Sequence, residues 1–564
     1  MPSDFQIAQK ARKKPIEEIA RALKINRKYL FHYGRHIAKI DLSILDGLKN
    51  KKRGKCILVT AITPTPLGEG KTVTTIGLSM SLNRLGKLTA ACIRQPSLGP
   101  VFGIKGSAGG GGYSQVLPRE DFDLHFTGDA HAVGLAHNLA AAFLDNSIFK
   151  GNPLGVSQER IYWNRVVDIG DRFLRHVKIG LKLKEGRFKR DSGFEITAAS
   201  EIMAILALSR DLKDLRSRLS RIVLAETAQG KPVTTKDIKA DGIMAVLLKD
   251  AIKPNLIQTI ENTPCFVHTG PFANIAHGNS SIIQDEIALK LCDFIVTEAG
   301  FGADCGAEKF FDIKSRVSGV MPSAVVLVCS VRALKAHSGI CKIVPGRPLD
   351  KCLTQENLSA VEQGLCNLKK QIENVLVFGV PVVVAVNRFA SDTDREIELV
   401  RQKSLEFGAI DAQVSEVWSR GSKGGTDLAR SVIKASSLRS RPKLLYPQGA
   451  GLKEKIKVIA TVIYGAKDVE YSEAAERKIS DYTSRGWDKF CVCMAKTPLS
   501  LSHDPALKGC PGDFTLPVRD IRAFAGAGFV SALCADIEIM PGLPRHPRGE
   551  NIGMDASGNI IGLS

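Results

Sequence analysis

A short apolar, β-branched run at residues 56–62 ends in Thr63-Pro64-Thr65-Pro66-Leu67-Gly68-Glu69-Gly70-Lys71-Thr72, and residues 73–85 then read as a helix closed by Gly86. Strand, glycine loop and helix in that order constrain the fold more than any other stretch of the chain. So apolar a strand must be covered on both faces, and a helix that follows it directly packs back onto the sheet. The loop also carries a chemical expectation. Small residues let backbone N–H groups wrap a phosphate, a lysine adds positive charge, and the next hydroxyl holds Mg²⁺. Thr65, Pro66, Leu67, Gly68, Glu69, Gly70, Lys71 and Thr72 are therefore the candidate ATP-phosphate site, with Thr72 as ligand of the magnesium ion that arrives with the nucleotide. Thr65 stands where the usual G-x-x-x-x-G-K-[ST] pattern has glycine, and the strand-before, helix-after setting supplies what the spacing lacks.

Further buried-strand candidates lie at residues 88–93, 265–268, 294–297, 324–329 and 380–386, separated by helical stretches such as 196–209 and 284–291. This alternation predicts an α/β fold: a P-loop-type, mainly parallel sheet flanked by helices, with a smaller C-terminal α/β region. Residues 7–40 read as helical, with apolar positions recurring at three and four, and lead into a basic hinge at 51–55. Residues 442–449 read as a linker, and the tail from Gly509 alternates short apolar runs with turns. The pattern divides into a large nucleotide-binding domain over residues 1–370, with an inserted glycine-rich segment, and a second α/β region over 371–564.

With 564 residues, 44% hydrophobic and 24% charged, the chain can bury a large core, and its balance excludes wholesale disorder. The longest uncharged stretch, 262–284, is interspersed with Asn, His, Ser, Gly and Pro, so no window reaches the roughly 18 apolar residues of a membrane-spanning helix. The N-terminus lacks the apolar core of a secretory signal, and the 13 cysteines form no paired Cys-x-x-Cys elements. Reduced thiols and a cytoplasmic location are expected. The net charge of +20 fits nucleic acid, membrane lipid or small polyanions such as nucleotides and carboxylates. Aromatics make up only 6% and do not interleave with the basic clusters, which leaves nucleic acid the weaker fit.

Arg94 follows the second strand, where ligands gather in an open parallel sheet. A surface ion pair is the ordinary fate of an arginine, whereas its planar fork suits a carboxylate or acyl phosphate. Residues 103–112 place six glycines around Lys105, a loop that either approaches a ligand closely or simply stays flexible. The strand at 382–386 leads into Asn387-Arg388-Phe389-Ala390 and lacks the Asp of a guanine-binding Asn-Lys-x-Asp, which disfavours GTP. Phe389 and Trp418, each at a loop start, are either core plugs or stacking surfaces for a flat heterocycle. His32 and His36 lack the Glu of a helical zinc motif, and His125, His131 and His137 fall off any one helical face, so no zinc is predicted.

Taken together, these segments resemble the formate tetrahydrofolate ligase family, also called 10-formyltetrahydrofolate synthetases. The resemblance runs along almost the whole chain, through residues 63–72, 94–104, 124–132, 251–259, 270–281, 296–314, 381–389 and 494–497. It implies ATP-dependent joining of formate to N10 of tetrahydrofolate through formyl phosphate, with ADP and phosphate released. Formate is already ionised at neutral pH, so the first step needs positioning and charge neutralisation but no general base. On this resemblance Lys71 and Arg94 are catalytic, Arg94 holding the mixed anhydride, while Phe389 and Trp418 sandwich the pterin in a folate site to which the 371–564 region contributes. It also implies a homotetramer, a monovalent cation such as K⁺ or NH₄⁺, and polyglutamylated tetrahydrofolate, a polyanion that a basic surface would help hold. Neither nucleic acid nor membrane is an expected partner.

Departures from the family pattern mark a divergent member. Gln95 stands where many bacterial members have Glu, and Ser107 and Gly109 alter the glycine loop. Gly421-Ser422-Lys423 replaces a Gly-Gly-Glu pattern after Trp418, Trp487-Asp488-Lys489-Phe490 replaces a Phe-Gly-Asn-Leu-Pro-like segment, and Gly553 replaces an Asp in the tail. The phosphate loop and both aromatics are spared. Two other readings stand beside the ligase: a P-loop ATPase or partner-binding switch, and a family member that binds its ligands without turnover.

Overall fold

The computed structural model describes residues 3–103, 106–181, 188–341, 343, 348–535 and 537–563. Lys105, at the centre of the expected glycine loop, lies outside the described residues.

Seven strands run parallel in one sheet: β1 (Lys55–Ala61), β2 (Thr89–Ile93), β3 (Pro264–Val267), β4 (Phe294–Glu298), β5 (Ala324–Cys329), β6 (Val382–Asn387) and β7 (Asp411–Ser415). Their order across the sheet is β3-β2-β4-β1-β5-β6-β7. The antiparallel strand Asn255–Thr259 extends the sheet beyond β3, and Ala38–Ile40 pairs with it in turn. The mixed α/β architecture, a large and mostly parallel sheet flanked by helices, is the expected one.

Covering both faces explains why these strands read as unbroken apolar runs. Alternate residues of β1 point to opposite layers. Ile57, Val59 and Ala61 share one buried cluster with Leu78 and Leu82 of helix α1 (Lys71–Arg84), and Leu428 and Val432 of the helix Thr426–Ala435 close the same layer. Leu58 belongs to the opposite layer with Leu327 and Val384, against Leu334 of helix α2 (Val331–His337) and Leu365, Leu368 and Ile372 of helix α3 (Leu358–Leu376). The chain leaves β1 through α1 toward β2 on one side, whereas β5 lies on the other. The segments that follow β1, β2, β4, β5 and β6 therefore meet at one edge of the sheet, the edge where open α/β sheets bind ligands.

Two local expectations change, and one strand carries no expectation in the sequence. Residues 7–40 were expected to be helical throughout; they form the helices Asp4–Lys10 and Ile16–Ala22 and then a hairpin of Leu30–His32 with Ala38–Ile40. Pro15 interrupts the first helical run, Gly34 turns the hairpin at φ 72°, and pairing of Lys39 with Asn255 draws the second strand into the sheet. Strand β7 has no apolar signature because it is a half-buried edge strand, paired with β6 alone. Cys341 and Cys352 are joined in a disulfide with Cα atoms 5.6 Å apart, against the expectation of reduced thiols throughout, because the chain brings them side by side at the start of a short helix. The other eleven cysteines are free.

The division expected at residue 370 falls inside α3, and β6 and β7 beyond it complete the large sheet. Past the 442–449 connection, Cys491–Ala495 pairs with Phe529–Leu533, which pairs with Asp520–Phe524, and Asp468–Tyr471 pairs with Thr515–Val518. Among the described residues no helix is long and apolar enough to cross a membrane.

Helices α2 and α3 pack so closely that a Cβ at Gly364 would collide with the Leu334 carbonyl. Helix propensity alone would make Gly364→Ala stabilising by about 1 kcal/mol. The collision reverses that sign, and a net loss of about 1–3 kcal/mol is expected, read as a lower midpoint of chemical unfolding.

Candidate functional site

The phosphate loop leaves the end of β1 and enters α1 with Gly68 and Gly70 both left-handed, at φ 76° and 78°. Gly70 caps the helix, and a Cβ there would strike the Asn387 amide at the end of β6. Glycine is required at this position on two counts. Glu69, expected to face phosphate, is 2% exposed and turned into the protein. Its Oε1 accepts the Thr65 backbone N–H at 2.9 Å and the Thr65 hydroxyl at 3.0 Å, and its Oε2 accepts the Ser330 hydroxyl at 2.7 Å. Asn387 donates to the Glu69 carbonyl at 3.2 Å. The loop is thus stapled to the ends of β5 and β6.

Its entry is fixed as firmly. Thr63 donates its N–H to Asn367 at 3.1 Å, its hydroxyl oxygen accepts from Asn367 at 2.9 Å and Gln371 at 3.0 Å, and its carbonyl pairs with His337 Nε2 at 2.7 Å. Gln371 also donates to Asp304 at 2.8 Å, and Asp304 forms a fully buried ion pair with Lys496 at 2.9 Å. Burial alone would raise the Asp304 carboxyl; Lys496 and the Gln371 and Cys305 hydrogen bonds overcome it and hold the group below its ordinary range. This chain of contacts ties the base of the phosphate loop to the C-terminal region.

Lys71 and Thr72 open α1. Burial pushes the Lys71 ammonium below its usual range, Glu69 and Glu298 act against that shift, and Arg94 reinforces it. Thr72 donates to the Glu298 carboxylate at 2.6 Å. Arg94, at the end of β2, reaches the same place: a Cβ on Gly300 would lie 3.2 Å and 3.3 Å from its two terminal nitrogens. The structure therefore brings Lys71, Thr72, Arg94, Glu298 and Gly300 together at the carboxyl edge. Among the described residues neither Lys71 nor Arg94 has a hydrogen bond or ion pair through its charged end. Two half-buried cations with free donors, side by side at a helix N-terminus, form a site for a polyanion.

The two aromatics sit apart from each other. Phe389 follows β6 and packs under Arg332, whose guanidinium carbon is 3.6 Å from the ring centroid. Trp418 follows β7, is 40% exposed, and packs on the glycine loop, where a Cβ on Gly111 would lie 3.2 Å from its indole nitrogen. The Trp418 carbonyl accepts the Tyr113 N–H at 2.7 Å, and a Cβ on Gly112 would collide with that carbonyl. Gly111 and Gly112 thus leave room for Trp418 and, at Gly111, for the Asp4 carboxylate, which also accepts the Gly112 N–H at 2.9 Å. No contact joins the two rings among the described residues. Of the divergent positions, Ser422 donates its N–H to Glu261 at 2.8 Å, and Trp487 stacks on Phe490 away from this edge.

Sequence reasoning missed Glu298, Ser330 and Arg332. A signal existed for the first two, since each is the polar residue that ends or follows a buried parallel strand; nothing in the sequence singles out Arg332. Replacing Lys496 by Met leaves Asp304 buried without its partner and is expected to cost about 3–5 kcal/mol of stability. Unfolding in denaturant checks this, and Lys496→Met with Asp304→Leu should recover most of the loss.

The model of the formate–tetrahydrofolate ligase family matches residues 2–564. A formate–tetrahydrofolate ligase of Roseiflexus castenholzii is 55% identical over 564 residues and covers 100% of both chains. One from Saccharopolyspora erythraea is 52% identical over 564 residues, and one from Desulforamulus reducens is 51% identical over 563 residues, covering 100% of this chain and 99% of its own. With its whole length matched, the chain belongs to the formate–tetrahydrofolate ligase family, enzymes that form a carbon–nitrogen bond.

Proposed function

We propose that the protein joins formate to N10 of tetrahydrofolate at the expense of ATP, through formyl phosphate, and releases ADP and phosphate. The observation that carries the reading is the pair of free cations, Lys71 and Arg94, at the strand edge beside the stapled loop. In the first half a formate oxygen attacks the γ-phosphorus, the bond to the β,γ-bridging oxygen breaks and ADP leaves, while the transferring phosphoryl charge is met by the Lys71 ammonium, the N-terminus of α1 and Arg94. In the second half N10 attacks the formyl carbon while Arg94 grips the mixed anhydride, the carbon–oxygen bond breaks so that phosphate leaves, and N10 gives up its proton. Phe389 and Trp418 hold the pterin between them, each from its own loop.

The Thr72 hydroxyl and the Glu298 carboxylate, 2.6 Å apart, are an all-oxygen set suited to magnesium, which would neutralise phosphate charge when bound. For a monovalent cation, Gln95 Oε1 and Thr269 Oγ1 are buried oxygens with no hydrogen-bond partner among the described residues, and both residues line a small cavity with Asp129 and Asp168. A homotetramer, a cytoplasmic location and a preference for polyglutamylated tetrahydrofolate belong to the same proposal. The charge of +20 favours a polyanionic tail.

The test is ADP formation with Mg-ATP and K⁺, omitting formate and tetrahydrofolate in turn, with the product acidified to develop the methenyl chromophore. ADP that requires both substrates and matches the chromophore in amount is expected. ATP hydrolysis indifferent to formate points to a nucleotide switch, and binding without turnover to an inactive relative. Lys71→Ala and Arg94→Ala should each lower kcat by about 10²–10³-fold with circular dichroism unchanged. Near-normal turnover in either would remove that side chain from the mechanism.

A further inference from the structure

Arg332 is the second residue of α2 and lies two positions after Ser330, whose hydroxyl holds Glu69. Its guanidinium sits over Phe389 with the central carbon 3.6 Å from the ring centroid, a cation–π contact. The side chain is half-buried, and its Nε is fully buried and has no hydrogen-bond partner among the described residues. Burial lowers its pKa, and the carboxylates of Asp392 and Glu69 act against that shift. Among the described residues Arg332 makes no salt bridge, and the ring and the field of the two carboxylates hold it there.

Phe389 is gripped from its other end. Its backbone N–H donates to Asp392 Oδ2 at 2.8 Å, which closes a tight turn directly after β6. The other Asp392 oxygen is buried and has no partner among the described residues. Asp392 thus fixes where the Phe389 backbone goes, and Arg332 fixes how its ring is turned. An aromatic ring has two faces, and with one occupied by a guanidinium only the other can receive a flat ligand.

We propose that Arg332 is a positioning residue of the folate site, setting the Phe389 ring with one face closed and the opposite face presented to the pterin. The inference rests on the reading of Phe389 as a pterin surface. It goes beyond that reading by assigning a cation that acts on the folate through the ring and makes no contact with the nucleotide phosphates.

The test is a double-mutant cycle in steady-state kinetics, with the KM values for tetrahydrofolate and ATP measured separately. Arg332→Gln should raise the KM for tetrahydrofolate by about two- to thirtyfold, the span of a cation–π contact between exposed and desolvated settings, and leave the KM for ATP unmoved. Arg332→Lys, which keeps a cation over the ring, should recover part of the loss and serves as the probe if the Gln variant does not fold. In a Phe389→Ala background Arg332→Gln should add nothing further. Additive effects, or equal rises in both KM values, overturn the proposal, since Arg332 would then act directly or through Glu69. If Phe389→Ala raises the KM for tetrahydrofolate while Arg332→Gln does not, only the role of Arg332 fails. If Phe389→Ala itself has no effect, the pterin reading of Phe389 fails and takes this inference with it.

Discussion

The buried Glu69 carboxylate gives the phosphate loop a shape that its neighbours in sequence do not impose. It accepts two hydrogen bonds from Thr65 within the loop and a third from Ser330 across the sheet, while Asn387 grips its carbonyl. Hydrogen bonds to an ionised group contribute about 1.5–3 kcal/mol each, and a carboxylate buried without them would be severely penalised. The loop therefore has one low-energy arrangement, and that arrangement needs the ends of β1, β5 and β6 at their observed spacing. Because hydrogen bonds satisfy Glu69, it does not capture Lys71 in a salt bridge.

That separation sets the electrostatics of the site. Elsewhere among the described residues, buried lysines have partners: Lys39 pairs with Asp129 at 2.7 Å, Lys314 with Asp285 at 2.5 Å, Lys335 with Glu396 at 2.6 Å and Lys496 with Asp304 at 2.9 Å, while Lys309 donates to the Cys305 carbonyl and Lys455 to those of Asp488 and Phe490. These pairs offset the desolvation of charges held inside the protein. Lys71 and Arg94 depart from the pattern, and they do so next to each other at the carboxyl edge. Desolvated, unpaired charge is costly in the folded state, and an incoming polyanion relieves the cost. The same economy explains Gly300: its missing side chain is the room that Arg94 occupies. The Thr63 contacts with Asn367, Gln371 and His337 extend this constraint outward, so the loop is anchored to α3 and, through Asp304 and Lys496, to the C-terminal strands.

Most of the sheet was legible along the chain because six of its parallel strands are covered on both faces and so read as unbroken apolar runs. The exceptions follow from the same physics. β7 is half-exposed and reads as polar, and the N-terminal hairpin carries an apolar spacing compatible with a helix until its pairing with Asn255–Thr259 decides otherwise. The phosphate loop and Arg94 were legible as residues, since glycine, lysine and a post-strand arginine carry their chemistry in their type. The inward turn of Glu69 was not, because it depends on Ser330, 261 residues away. Nor was the use of Gly111 and Gly112 as a seat for Trp418, a contact between distant segments that leaves only a run of glycines in the sequence.

By itself the sequence determined the α/β class, the position of the phosphate loop and the residue types available at the strand ends, because local hydrophobic period and side-chain chemistry are properties of short segments. The tertiary structure decided which of those residues face one another. It selected Lys71 and Arg94 as the unpaired cations, turned Glu69 from a candidate ligand into a staple, joined Thr72 to Glu298, and put Arg332 over Phe389. Each of these depends on strand order, which brings together residues from separate segments, as far apart as the 261 positions between Glu69 and Ser330, at distances where hydrogen bonds and charges act, and no local pattern encodes such proximity.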